Sequence, residues 1–301
     1  MSRLWFIFLP TLLIQVYLAY FQDDGPPQFR RPPATQIVPA PQARAPKQVP
    51  LRHQTGAVLR PRSSLDPSFT VDVGEKGDST GTAFSIRNDG IWFTARHVVD
   101  GCNRVGLQVD QRRAAKVQKV QSHPKADIAV LWTRGGKPGI AIASAPLRVN
   151  QHGYHVGYPE GKPGQVISSL IGRRNMRTIG RYRHTEPVVA WVERARHPVT
   201  QSLGGLSGGP AFNAAGEIIG VTVAASKRRG RVFTTAPATM DDMLFLAKIQ
   251  PAGSPSGGLQ IRPSDGEYVQ YGEKLRGELI VAKVLCLVNR PSRRRSGWRG
   301  F

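Results

Sequence analysis

The sequence predicts an all-β fold, and three observations support this prediction. Glycine and proline are frequent, with 32 and 24 residues in a chain of 301. Short apolar runs alternate with turn residues from about residue 68 to residue 248, which is typical of β-strands. The pattern of an amphipathic helix of useful length occurs only at residues 240–249. A segment of this size is large enough for two small barrels or sandwiches.

The composition narrows the class of protein. Hydrophobic residues make up 40% and charged residues 21%, which excludes disorder throughout the chain. The net charge of +22 calls for anionic surroundings or partners, but it is spread along the chain. A generally cationic surface therefore explains it better than a nucleic-acid arm, and no specific nucleic acid is expected. Two cysteines exclude a disulfide-dense scaffold and a four-thiolate zinc site.

The N-terminal part reads as a targeting segment followed by a linker. Arg3 precedes an apolar stretch at residues 4–20, so residues 1–24 are predicted to be a signal anchor or a signal peptide. The anchor is favoured because no small-x-small cleavage site stands out, and either segment would export the rest of the chain. Residues 25–64 are rich in proline and are predicted to be a disordered linker.

Most of the apolar segments after the linker are predicted to be β-strands. Residues 83–94 predict a β-hairpin around the turn at Asp89 and Gly90. Residues 128–132 and 218–223 predict two further buried strands. Residues 251–301 form a C-terminal extension with a basic tail, in which residues 278–288 are apolar enough for an added strand or a short helix.

Three polar residues of types that can act together in a reaction lie in separate motifs. His97 ends a strand in TARHVV, Asp127 opens a strand in ADIAVLW, and Ser207 lies in the glycine-dense loop GGLSGGP. A serine hydroxyl needs a base to become nucleophilic, and a histidine held by a carboxylate is suited to that task. The glycines allow the backbone to turn sharply and aim N–H groups at a developing oxyanion.

Each motif alone has an ordinary explanation, such as a structural histidine, a turn-capping aspartate or a tight turn. The spacing of Gly205, Ser207 and Gly209 also fits the nucleophile elbow of α/β-hydrolases. In that fold the catalytic histidine follows the serine, whereas all seven histidines of this chain precede Ser207. The remaining pattern is the order His, Asp, Ser on an all-β chain.

Jointly the three motifs resemble those of the trypsin-like (chymotrypsin-fold) serine proteases, most closely the bacterial HtrA-type branch. The resemblance covers roughly residues 75–245. It implies two antiparallel β-barrels with the site in the cleft between them. On this basis the protease domain is expected at residues 65–250, with the first barrel at about 65–145 and the second at about 146–250.

The resemblance also implies roles for individual residues. His97 would be the general base, Asp127 the residue that orients it, and Ser207 the nucleophile, with no metal or cofactor. The backbone N–H groups of Gly205 and Ser207 would form the oxyanion hole. Asp100 is a rival for the acid, but Asp127 is preferred because it opens a strand, as in the family's motif.

The chain departs from the family at two places. Leu206 stands where Asp or Asn is usual, so pairing with a newly cleaved N-terminal amine is not expected. The residues after Lys248 are too few for the PDZ domain of many HtrA-type proteases.

The family places its specificity pocket between residues 201–204 and residues 222–225. The candidate lining residues are Gln201, Thr222, Val223 and Ala224. Because neither stretch contains an acid, selection for Lys or Arg is disfavoured, and a small or medium apolar residue is expected before the scissile bond.

Cys102 and Cys286 are the only thiols. An oxidising compartment would allow a disulfide between them, and two unpaired buried thiols are the open alternative.

The predicted function is a serine endopeptidase that hydrolyses peptide bonds through an acyl-enzyme. It would act in the bacterial periplasm or at the inner membrane facing it, or be secreted if the N-terminal segment is cleaved. Its partners would be protein or peptide substrates, with an anionic membrane surface as a further contact. The alternative is a catalytically silent, protease-fold binding module that recruits anionic partners.

Overall fold

The computed structural model describes residues 56–250 and 263–288. This part of the chain contains thirteen strands, three α-helices and two short 3-10 turns. The strands are β1 (Ser68–Val73), β2 (Ser79–Arg87), β3 (Ile91–Thr94), β4 (Arg104–Gln108), β5 (Ala114–Ser122), β6 (Ala129–Thr133), β7 (His152–Gly157), β8 (Gly164–Gly180), β9 (His184–His197), β10 (Pro210–Phe212), β11 (Ile218–Ser226), β12 (Arg231–Thr235) and β13 (Val281–Leu287). The helices are α1 (Arg96–Val99), α2 (Pro237–Ala247) and α3 (Tyr268–Gly277). The predicted all-β class is confirmed.

The first barrel is closed and contains six strands in the order β13-β2-β3-β6-β5-β4. Its β2–β3 hairpin turns at the predicted position, and Gly90 there has a φ of +94°. A Cβ on Gly90 would lie 2.4 Å from the carbonyl oxygen of Thr133, so both the backbone conformation and the space require glycine.

Strand β13 closes this barrel although it comes from the C-terminal end of the described chain. It pairs with β2 at Val281 and Phe84, and with β4 at Val284 and Leu107. Without it, β2 and β4 would each expose an unpaired edge. The segment predicted as an extension therefore supplies a barrel strand, and the first barrel is not confined to residues 65–145.

The second sheet also returns on itself. Its strands follow the order β8-β7-β10-β11-β12-β9, and β9 pairs again with β8. Strand β1 is added to β8 in parallel, which departs from the antiparallel pairing expected throughout. Beyond the part of β8 that pairs with β7, the β8–β9 hairpin continues to a turn at residues 181–183.

The end of the predicted linker is hydrogen-bonded to the segment that precedes β7. The N–H of Gly56 donates to Val149 (3.0 Å) and that of Leu59 donates to Leu147 (2.7 Å). Leu59 is buried with Trp191 among its neighbours in the core. Residues 56–59 of the predicted linker thus contact the folded part of the chain, whereas residues 25–55 lie outside the described residues.

One buried cluster spans both barrels and positions them relative to each other. It joins Phe84 and Phe93 of the first barrel to Ile167 and Phe212 of the second. Helix α3 adds Tyr271, whose ring meets that of Phe212 edge-on at 5.3 Å between centroids. Because this cluster is shared, its burial holds the two barrels together.

Within residues 56–250 and 263–288, no helix has the length and apolar character needed to cross a membrane. The predicted signal segment at residues 1–24 and the basic tail at residues 289–301 lie outside the described residues.

Candidate active site

His97 and Asp127 meet because of the pairing of β3 with β6. His97 lies in α1, directly after β3, and Asp127 lies just before β6; Thr94 and Ala129 are partners in the two strands. The imidazole Nδ1 of His97 is 2.6 Å from Oδ2 of Asp127. The backbone N–H of His97 donates to Oδ1 of the same carboxylate at 2.8 Å. Both carboxylate oxygens are therefore engaged by one residue.

The charge of Asp127 is stabilised although its side chain is only 4% exposed. Burial by itself would raise the pKa of Asp127, but the His97 imidazole and the hydrogen bonds from His97 hold that pKa below its ordinary value. The rival Asp100 is engaged elsewhere, by Arg96 at 3.7 Å and Arg181 at 3.8 Å. The structure thus brings Asp127 to the histidine ring.

The backbone of α1 is held from outside by Lys76. Its ammonium group donates to the carbonyl oxygens of His97 (3.0 Å) and Val98 (2.9 Å). Burial lowers the pKa of Lys76 to about 8, with Arg181 adding to the effect and Asp100 opposing it. A half-buried cation therefore satisfies two carbonyls at the end of a helix too short to bond them itself.

Ser207 lies in a loop that is pinned between the two barrels. Its carbonyl accepts the N–H of Thr82 in β2 at 2.9 Å, and the N–H of Gly208 donates to Thr222 in β11 at 2.7 Å. A Cβ on Gly208 would lie 2.1 Å from the carbonyl oxygen of Thr82, so this close approach requires glycine. His97 and Ser207 line one cavity of about 1100 Å³.

Leu206 anchors the same loop in the core. Its side chain is 1% exposed and lies in a buried cluster with Leu203 and Trp191. The residue before Ser207 is therefore apolar and buried, and it holds the loop by packing.

The Gly204–Gly205 peptide has a defined orientation. The carbonyl of Gly204 accepts the N–H of Glu160 at 2.5 Å, and the carbonyl of Gly205 accepts the Thr82 hydroxyl at 2.7 Å. Because the C=O and N–H of a trans peptide point in opposite directions, the Gly205 N–H is directed away from Glu160. Gly205 has a φ of +92°, and a Cβ there would lie 2.4 Å from the carbonyl of Tyr158.

A smaller cavity of about 200 Å³ lies beside Ser207. Of the four candidate pocket residues, Thr222 and Ala224 line it, Val223 lines the larger cavity, and Gln201 is exposed and lines neither. The following further residues line the small cavity: Glu193, Arg196, Ser202, Leu203, Gly204, Ala225 and Ser226.

Sequence reasoning missed Glu193 and Arg196. Both lie on β9, which carries no recognisable motif, and they reach the cavity through the pairing of β9 with β12 and of β12 with β11. The carboxylate of Glu193 is bonded by two guanidinium nitrogens of Arg196. Residues 201–204 and 222–225 contain no acid, but β9 places Glu193 at the cavity, where it is paired with Arg196.

Sequence reasoning also missed the residues that contact Asp127 from the β8–β9 hairpin. The Tyr182 hydroxyl donates to Oδ1 of Asp127 at 3.3 Å. The backbone N–H of Asp127 donates to Oε1 of Glu186 at 2.8 Å. No sequence motif links Tyr182 and Glu186 to Asp127, because the contact between the two barrels brings them together.

Cys102 and Cys286 form a disulfide, with their Cα atoms 5.4 Å apart. Of the two alternatives left open by the sequence, the structure has the paired one. In the described part of the chain, no group of three or more His, Cys, Asp or Glu side chains is placed to hold a metal ion.

Comparison with known proteins agrees with this geometry. Residues 81–221 match the family model of the trypsin-like peptidase domain. This part of the chain is therefore similar to a trypsin-like peptidase domain. The expected resemblance to trypsin-like serine proteases is therefore confirmed.

Two curated proteins similar to this chain are each named "Probable periplasmic serine endoprotease DegP-like". The protein from Halomonas elongata is 32% identical over 158 residues, which are 52% of this chain and 31% of that protein. The protein from Hahella chejuensis is 28% identical over 160 residues, which are 52% of this chain and 32% of that protein. The chain thus spans about a third of the length of these relatives.

A solved structure is also similar. It is the crystal structure of a protease from M. tuberculosis in its active form, with a TM-score of 0.48 and 21% sequence identity. The similarity covers 68% of this chain and 100% of that chain.

Proposed function

We propose that this chain is a serine endopeptidase that cleaves peptide bonds through an acyl-enzyme, outside the cytoplasm. The observation that carries the proposal is the 2.6 Å contact between His97 Nδ1 and the buried Asp127, with Ser207 lining the same cavity as His97. A carboxylate on Nδ1 fixes the tautomer whose Nε2 is free to take a proton.

In the first half of the proposed reaction, Oγ of Ser207 attacks the carbonyl carbon of the substrate. The hydroxyl proton passes to Nε2 of His97, and Asp127 stabilises the imidazolium that forms. The carbonyl π electrons move to oxygen, and the backbone N–H groups of Gly205 and Ser207 stabilise this oxyanion. The Gly204 carbonyl, held by Glu160, supports this role because it directs the Gly205 N–H away from residue 160.

The second half releases the products. His97 returns the proton to the leaving nitrogen as the C–N bond breaks, which leaves an acyl ester on Ser207. Water then attacks the ester and gives a proton to His97, which passes it to Ser207 Oγ as the C–O bond breaks. The net reaction adds one water across one peptide bond.

The substrate is proposed to bind as an added strand along β11. Residues 223–226 line the large cavity, and β11 pairs with β12 on one side there, so its other edge is available for main-chain hydrogen bonds. A small or medium side chain before the scissile bond would enter the 200 Å³ cavity. Because Arg196 balances the charge of Glu193, the cavity should have little preference for a Lys or Arg side chain.

Three observations support a location outside the cytoplasm. The relatives from Halomonas and Hahella are named periplasmic. A disulfide between Cys102 and Cys286 is typical of an oxidising compartment. The apolar stretch at residues 4–20 follows Arg3, as in exported chains. The net charge of +22 supports contact with anionic surfaces at that location.

A fluorophosphonate probe, which labels activated serines, tests the proposed function. Wild type should be labelled, and Ser207→Ala and His97→Ala should lose both labelling and turnover, the latter by about six orders of magnitude because the catalytic residues act as a unit. Ser122→Ala, on β5 and away from the cavity, is the matched control and should behave as wild type. A folded wild type that resists labelling and leaves peptides intact would instead favour a silent binding module.

A further inference from the structure

The β8–β9 hairpin makes two contacts with Asp127, one to its side chain and one to its backbone. Tyr182 at the hairpin turn donates its hydroxyl to Oδ1, 3.3 Å away. Glu186 in β9 accepts the backbone N–H of Asp127 on Oε1, 2.8 Å away. The carboxylate is thus bonded by Tyr182 on Oδ1 and by His97 on both oxygens, while Glu186 bonds the backbone of Asp127.

Glu186 is an unusual acceptor for a backbone N–H at this depth. Its side chain is 1% exposed, and Oε1 also lies 3.0 Å from Nε2 of the buried His184. Burial raises the pKa of Glu186, the bond from His184 opposes this, and the charge of Asp127 adds to it. Among the described residues, Oε2 of Glu186 and Nδ1 of His184 are buried without a hydrogen-bond partner.

An incompletely satisfied buried carboxyl lowers stability, and a backbone N–H needs only a carbonyl oxygen as acceptor. Burying the Glu186 carboxyl in this way therefore costs folding free energy, and packing of the side chain gives no reason for that cost. Its evident effect is on Asp127, the residue that Glu186 contacts directly.

The Tyr182 side chain is fixed by contacts of its ring. Its ring stacks on that of His184, with 5.4 Å between centroids and 2° between planes. The guanidinium of Arg96, next to His97 in the chain, also lies over this ring, 4.0 Å from its centroid. Burial raises the pKa of Tyr182, and the Asp127 charge raises it further, so the hydroxyl stays protonated and remains a donor.

We infer that Tyr182 and Glu186 are positioning residues that hold Asp127 so that Oδ2 faces Nδ1 of His97. The consequence for catalysis rests on the proposed function, whereas the effect on the His97–Asp127 hydrogen bond does not. Because a general base works only in a narrow geometry, a small shift of Asp127 lowers turnover without weakening substrate binding.

Four variants of the full chain test this inference. Tyr182→Phe removes one hydroxyl and keeps the ring that His184 and Arg96 contact, so it is expected to fold. Glu186→Ala removes the acceptor of the Asp127 N–H, and Glu186→Gln restores an amide oxygen there. Tyr154→Phe is the matched control, because it deletes another tyrosine–carboxylate hydrogen bond, 2.9 Å to Asp265, away from His97.

We expect Tyr182→Phe and Glu186→Ala to lower kcat by about tenfold or more, with KM within about twofold of wild type, since misplaced catalytic groups cost rate and not affinity. Glu186→Gln should recover most of the rate, and Tyr154→Phe should retain it. Thermal unfolding confirms that each variant is folded. Unchanged kcat in both Tyr182→Phe and Glu186→Ala would overturn the inference.

A second readout does not depend on activity. The Nδ1 proton of His97, shared with a buried carboxylate, should give a low-field proton NMR signal that exchanges slowly with water. This signal should broaden or exchange faster in Tyr182→Phe and Glu186→Ala, but not in Glu186→Gln or Tyr154→Phe. If wild type resists the fluorophosphonate probe but its NMR signal responds in this way, the proposed function is refuted and the positioning role is upheld. If the signal is unaffected in all four variants, the positioning role is refuted.

Discussion

A carboxylate that lines a cavity attracts a cationic ligand only while its own charge is unbalanced. Glu193 is bonded to two nitrogens of Arg196, and the two side chains are only 15% and 14% exposed. Arg196 is fixed in turn by the carbonyl of Thr200, 2.9 Å away. The pair therefore presents a neutral polar wall beside Ser207.

Removing one partner should change which substrates are cleaved. We expect Arg196→Ala to raise cleavage after Lys and Arg by about tenfold or more, because a freed Glu193 offers a charge-assisted bond worth 1.5–3 kcal/mol (roughly, from hydrogen bonds to charged groups). Profiling with a peptide library measures the shift. Arg194→Ala, the next basic position on β9, removes a bond to Ser169 instead and should leave the profile unchanged. Equal profiles for wild type and Arg196→Ala would contradict this role of Glu193.

At the scale of elements, β13 has a larger effect than its seven residues suggest. It completes the first barrel between β2 and β4, and its Cys286 is bonded to Cys102, which follows the helix that carries His97. The two cysteines are 184 residues apart in sequence. The disulfide therefore ties the end of the described chain to the strand–helix unit of the site.

Opening this disulfide should lower stability. Cys286→Ser is expected to reduce the free energy of unfolding by 2–5 kcal/mol (roughly, with the upper end set by loop-closure entropy in so long a loop). Urea unfolding measures it, and reduced wild type is the control, since it should unfold at the same midpoint as the variant. If oxidised wild type, reduced wild type and the variant share one midpoint, the disulfide does not stabilise the fold.

At the scale of the whole molecule, charge is the dominant feature. The net charge is +22, and cationic groups also outnumber acids around the large cavity. The cationic residues that line it are Lys76, Arg174, Arg181, Arg228, Arg229 and Arg231, and the acidic ones are Asp72, Glu75 and Asp78. Such a field concentrates anionic ligands at the cleft.

Acidic peptides should therefore be favoured at low ionic strength. We expect kcat/KM for a peptide with two or three acidic residues to exceed that of its neutral analogue at about 10 mM salt, and the ratio to approach one at about 0.5 M as the charges are screened. Parallel progress curves at several salt concentrations measure the ratio. A ratio that does not respond to salt would mean that the cationic surface plays no part in substrate capture.

Much of the site was predictable because its signals are local. His97, Asp127 and Ser207 each stand in a short motif, and the hairpin at residues 83–94 follows from alternating apolar residues around a glycine turn. Glu193 and Glu186 carried no such signal, since each matters through a neighbour on another strand. The place of residues 281–287 in the first barrel was equally hidden, because an apolar run does not specify its partner.

The sequence by itself determined the all-β class, the order of the three motif residues and the strongly cationic character, since these depend on composition and on neighbours along the chain. Only the tertiary structure decided which strands close each barrel, that Cys102 pairs with Cys286, and which side chains support Asp127. The physical reason is that barrel closure joins residues far apart in the chain, and their pairing depends on register and packing that no single segment contains.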